Sequence, residues 1–203
     1  WDELDSVTAD CTRFLDDVVT INNYPIPEIR ERANQERRIG LGVMGFADLL
    51  FRLGVRYGSE KSFEIARTLS ERMTEGSYRA SEALVEEDGR APFEAWEGSK
   101  PQVEGKKPRR NSHVSTVAPT GTISIFAGCS GGIEPLFAVA FMRNQAGSLM
   151  PDVNPDFIRM AQEGGWYSGE LMERIAQEGH IHFDEVPEAI QKIFRTAHDI
   201  TPE

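Results

Sequence analysis

Residues 114–124 read V-S-T-V-A-P-T-G-T-I-S, an alternating extended run broken by Pro-Thr-Gly-Thr just before an apolar stretch. Val114, Thr116 and Ala118 share one face and Ser115 and Val117 the other, which is the period of a strand. Pro119 and Gly121 then interrupt the run, and the apolar residues that follow can open a helix. Such a corner leaves N–H groups without carbonyl partners, and Gly121 lets a ligand approach closely. The hydroxyls of Thr120, Thr122 and Ser124 add donors, so the corner suits phosphate. Pro119, Thr120, Gly121, Thr122, Ile123 and Ser124 are therefore the candidate site. The competing structural reading is that Ser and Thr here only finish a strand and cap a helix.

The rest of the chain supplies a setting for that corner. Its 203 residues, 39% hydrophobic and 27% charged, are enough to bury a core, and no apolar run reaches the length of a membrane helix or a secretory signal. A soluble, cytoplasmic protein is the expectation. Two cysteines, Cys11 and Cys129, stand far apart without a CxxC pair, so neither a disulfide framework nor a cysteine zinc site is indicated. The net charge of −11 argues against general nucleic-acid binding.

Leu4, Val7, Cys11, Phe14 or Leu15 and Val18 recur at helical spacing and predict a helix with one buried apolar stripe, ending before Pro25 and Pro27. Cys11 on that stripe is read as an inert thiol. A second helix over 46–53 should stop at Gly54, and a long one should start at Ser59, bury Phe63, Ala66, Met73 and Leu84, and stop at Asp88-Gly89. Residues 90–111 read as a loop whose basic cluster, 106–110, is solvated charge. A buried strand is predicted over 136–142, and helices over 155–162, 168–177 and 187–197.

Longer strings add a resemblance. A-P-T-G-T-I-S (118–124) with G-C-S-G-G-I-E-P-L-F (128–137) is similar to ribonucleotide reductases, above all the adenosylcobalamin-dependent class. R-R-I-G-L-G-V-M-G-F-A-D-L-L (37–50), N-N-Y-P-I-P-E-I (22–29), V-N-P-D-F (153–157) and T-A-H-D-I-T-P-E (196–203) resemble the same family in the same order. The resemblance implies an α/β fold, part of a ten-stranded α/β barrel, with residues 1–203 a single partial domain from its second half and both ends cut. It implies that the 119–124 turn holds the diphosphate or triphosphate of a ribonucleotide substrate, and that the cofactor is adenosylcobalamin. The implied partners are the remainder of the barrel, dNTP effectors and a thioredoxin-type reductant, with no nucleic acid or membrane. The family's N-x-C-x-E string, which supplies its radical cysteine, is absent from this sequence, so no catalytic residue is assigned to the chain. Two readings compete: a two-component diferric reductase, whose turn more often carries Ala or Ser and a T-S-Q ending, and a nucleotide-binding module without redox chemistry.

Two further patterns carry less. Gly40-Leu41-Gly42-Val43-Met44-Gly45 satisfies G-x-G-x-x-G, but a dinucleotide fingerprint needs an apolar strand before its first glycine, and 31–38 is almost wholly polar. Close packing of a short strand is the expected use of these glycines. His180 and His182 could face one side of a strand, yet no HExxH or cysteine pair completes a metal site. His113, next to the phosphate corner in sequence, is the one histidine placed to add a donor to phosphate.

Overall fold

A computed structural model describes residues 1–145 and 148–200, so 201–203 of the last family-like string lie outside the described residues. The chain divides into two units, one of Trp1–Gly42 with Ala66–Ala118 and one of Val43–Ile65 with Pro119–Glu203.

In the first unit, helix α1 (Asp2–Ile21) opens with Asp2, Glu3 and Asp5, acidic side chains that suit the positive end of a helix. Its buried residues are Thr8, Thr12 and Asp16. The predicted apolar stripe is instead largely outside, with Val7, Phe14 and Val18 at 50%, 66% and 39% exposure. Gly76 explains the preference for threonine: a Cβ there would lie 3.2 Å from the Thr8 Cγ2, so the helices meet too closely for larger side chains. Helix α2 (Pro27–Glu36) takes Pro27 at its start, where a missing N–H costs nothing, and ends on left-handed Arg37.

Arg37 then turns inward on the carboxylate of Asp16. Asp16 also meets Arg90 at 2.8 Å and Arg110 at 3.3 Å, and accepts from the Asn111 amide at 3.0 Å. Two of the basic residues expected to be solvated are thus engaged: Arg110 in this network, and Arg109 over the Tyr78 ring at 4.0 Å. The predicted loop also contains a 3-10 turn (Glu94–Trp96) and a short helix, α5 (Lys100–Val103). Phe93 and Trp96 are buried edge to face, which anchors it.

The strand predicted over 114–118 reduces to one parallel bridge, Leu41 with Ser115. Leu41 donates to the Val114 carbonyl at 2.8 Å and Thr116 donates to the Leu41 carbonyl at 3.0 Å. Beyond Thr116 the ladder does not continue among the described residues, and Val117 is exposed. At Gly42 a Cβ would come within 2.4 Å of the Thr116 carbonyl oxygen, so close backbone approach is the reason for glycine there. This is the close packing expected of the G-x-G-x-x-G segment.

In the second unit, helix α3 (Phe46–Arg52) is entered through left-handed Gly45 and left through Gly54, the predicted stop. Helix α4 (Glu60–Glu86) starts in this unit, with the Ser59 hydroxyl accepting from the Ser62 N–H at 3.2 Å, and continues into the first. Along it Met73 and Leu84 are buried as predicted, whereas Phe63 is exposed. Helix α6 (Ile123–Ala127) follows the Pro-Thr-Gly-Thr corner.

Strands β1 (Ala140–Gln145) and β2 (Ser148–Val153) form an antiparallel pair. The strand predicted over 136–142 therefore begins late. Leu136 makes only a parallel bridge to Thr196, and Phe137, which follows it, is exposed.

Helices α7 (Pro155–Glu163) and α8 (Gly169–Glu178) carry side-chain caps from Asn154 and Ser168. Helix α8 packs on both strands through Leu171, Met172 and Ile175. The helix predicted over 187–197 is broken into α9 (Glu188–Ile193) and a 3-10 turn (Ala197–Asp199). Phe194 causes the break: fully buried, it leaves helical geometry to stack on Phe51 at 4.3 Å and meet Phe157 edge-on at 5.2 Å.

Candidate functional site

The predicted corner is a turn held in an unusual backbone state. Thr120 has φ of 54°, a left-handed conformation rare for a β-branched residue, while Gly121 does not need a positive φ. The close ligand approach expected of Gly121 therefore does not rest on its φ. What glycine provides is space, because a Cβ added there would meet nothing within 4 Å. Ser124 donates its N–H to the Thr120 carbonyl at 2.9 Å, closing the turn. The N–H groups of Gly121, Thr122 and Ile123 make no hydrogen bond among the described residues, and all three residues are exposed.

The three hydroxyls have different positions. Thr122 is exposed, and its hydroxyl has no partner among the described residues. The Thr120 hydroxyl accepts from the Gly132 N–H at 2.7 Å, and Ser124 is buried with its hydroxyl 3.5 Å from the Gly121 carbonyl. Thr122 is therefore the hydroxyl most open to a ligand.

Residues 128–132 form a second loop against this turn. It is clamped to the start of α3: Gly45 donates to the Ser130 carbonyl at 2.8 Å, and Phe46 to the Gly132 carbonyl at 3.3 Å. The buried Asp48 carboxylate accepts from the Ser130 N–H at 2.6 Å. Sequence reading missed Asp48, since an aspartate inside an apolar helix start has the same pattern as an ordinary helix-favouring acid.

A family model for the ribonucleotide reductase barrel domain matches residues 1–105 and 95–203. The chain belongs to that family. Among curated relatives of the barrel family, the vitamin B12-dependent ribonucleoside-diphosphate reductase of Thermoplasma acidophilum is 45% identical over all of this chain and 26% of its own length. The enzyme of the same description from Mycobacterium tuberculosis is 44% identical over all of this chain and 29% of its length. The chain thus spans a little over a quarter of these relatives. The structure of the Actinobacillus ureae class Id ribonucleotide reductase alpha subunit matches 93% of this chain and 34% of that one, with a TM-score of 0.74 at 23% identity. The α/β reductase-barrel fold expected from the resemblance is the fold of this chain.

Within this reductase-family chain the other candidate residues divide plainly. Cys129 is half-buried, and burial, reinforced by the Asp48 carboxylate, pushes its thiol above the usual range despite Arg52. A thiol so held is a poor nucleophile. Cys11 is half-buried on α1. His180 and His182 stack at 5.8 Å, with His180 3.3 Å from Glu178 and His182 bonded to Gln191. No cluster of three or more His, Cys, Asp or Glu side chains able to hold a metal ion occurs among the described residues. His113 is exposed, and its carbonyl accepts from the Ile39 N–H at 3.0 Å.

Proposed function

We propose that this chain is part of a vitamin B12-dependent ribonucleotide reductase and that its 119–124 turn seats the phosphates of a ribonucleoside diphosphate. The observation that carries the seat is the set of free, exposed N–H groups on Gly121, Thr122 and Ile123 beside an open Thr122 hydroxyl. Backbone N–H groups converging on one anion form a nest that holds charge without a lysine or arginine. The named activity of relatives 44–45% identical over the whole chain supports the substrate class and the cofactor.

Adenosylcobalamin would supply the radical that starts ribose reduction. No residue of this chain is assigned to the cobalt. The chain's own contribution is placement: fixing the diphosphate sets where the ribose lies, and small errors in that position cost rate. The apolar side chains left exposed on α1 (Val7, Phe14, Ile21) and α6 (Ile125, Phe126) are assigned to contact with the remainder of the barrel. Effector nucleotides and a thioredoxin-type reductant would act on that remainder, and the assembled enzyme would work in the cytoplasm.

The test is nucleotide binding by the full-length protein that carries this chain. Thr122→Ala removes a hydrogen bond to a charged group, worth about 1.5–3 kcal/mol, so Kd for a ribonucleoside diphosphate should rise about tenfold or more. Gly121→Val should weaken binding further by filling the open space. Unchanged affinity in both variants would refute the phosphate seat.

A further inference from the structure

We infer that Asp48 is a positioning residue for phosphate recognition, acting on the turn through the 128–132 loop; this rests on the phosphate reading of the turn. The linkage is continuous. The buried Asp48 carboxylate holds the Ser130 N–H at 2.6 Å, and two residues on, the Gly132 N–H reaches the Thr120 hydroxyl at 2.7 Å. Thr120 is the residue with φ of 54°. A left-handed β-branched residue persists only where its surroundings over-determine it, and the Gly132 bond is the side-chain contact that does so here.

Packing brings the loop close to both of its neighbours. A Cβ on Gly131 would stand 3.1 Å from the Pro119 carbonyl, and one on Gly45 would stand 3.3 Å from the Cys129 Cβ. The loop is thus wedged between α3 and the turn, with Asp48 fixing its height. A charge-assisted bond to a backbone N–H is about twice as strong as a neutral one, which suits a carboxylate rather than an amide at 48. Loss of that bond frees the loop, lets Thr120 relax toward ordinary backbone angles, and scatters the N–H groups that converge on phosphate.

The experiment uses the full-length protein with Asp48→Ala, Asp48→Asn, Thr120→Ala and the Asp48→Ala/Thr120→Ala double variant. Titration calorimetry measures affinity for a ribonucleoside diphosphate and for the nucleoside without phosphates, and circular dichroism checks folding. Asp48→Ala should weaken diphosphate binding by about tenfold and leave nucleoside binding within about twofold, since only the phosphate seat is disturbed. Asp48→Asn should fall between wild type and Asp48→Ala. The double variant should bind about as weakly as the worse single one, because both cut one chain of contacts.

Unchanged diphosphate affinity in Asp48→Ala, with Thr120→Ala weakened, overturns the role of Asp48 and leaves the phosphate seat standing. No change in any of these variants overturns the inference, and Thr122→Ala with Gly121→Val then decides whether the phosphate seat stands. Equal loss for nucleoside and diphosphate assigns Asp48 to general structure and overturns the inference. Should Asp48→Ala not fold, Asp48→Asn decides, and unchanged diphosphate affinity there overturns it.

Discussion

A fully buried carboxylate among arginines stabilises a fold only where every charge is matched. Asp16 meets that condition, accepting from Arg37, Arg90, Arg110 and Asn111 together. Burial alone would push its carboxyl up, but Arg37, Arg110 and Asn111 outweigh that and hold it below the ordinary value. Removing the carboxylate strands Arg37, itself only 4% exposed. Asp16→Ala should therefore cost about 3–5 kcal/mol in urea unfolding of the protein that carries this chain. Because the folded pKa is the lower one, this stability is complete above the unfolded value near ~4 and is lost as pH falls through the folded value. Asp16→Asn should flatten that acid limb, and an unaltered acid limb would contradict the network's role.

At the scale of elements, helices were legible wherever a cap or stop lay close in sequence. Ser168 and Asn154 cap α8 and α7 through their own following N–H groups, and Gly54 and Gly89 adopt the positive φ that ends a helix. The buried face of α1 was not legible. Apolar spacing pointed to Val7, Phe14 and Val18, but Gly76 and the Asp16 network draw the opposite residues inward. If the exposed stripe meets the rest of the barrel, Phe14→Ala in the full-length protein should cost about 3 kcal/mol or more, the loss of a buried aromatic. A change within about 0.5 kcal/mol, as for a solvent-facing residue, would remove that assignment.

Across the whole molecule, the division into two units separates structural charge from the candidate chemistry. The Asp16 network lies in the first unit, while Asp48, the 128–132 loop and the 119–124 turn lie in the second. No N-x-C-x-E string accompanies them in the sequence. The 203-residue chain by itself should give no deoxyribonucleotide from a ribonucleoside diphosphate, with adenosylcobalamin and a dithiol supplied, as read by product chromatography. Turnover above the buffer blank would refute the proposal that the radical chemistry lies outside this chain.

Sequence by itself determined the family, the limits of the helices that carry caps or glycine stops, and the place of the Pro-Thr-Gly-Thr corner, because those signals act over a few residues. Tertiary structure decided which features of that corner matter. Thr120, not Gly121, carries the positive φ, and its hydroxyl is held by Gly132, twelve residues further on. Asp48 reaches the same loop across 82 residues of chain. Phe194 breaks a helix that its local pattern favours, because burial against Phe51 and Phe157 outweighs propensity. Contacts between distant segments leave no periodic mark in sequence, and only the packed chain selects them.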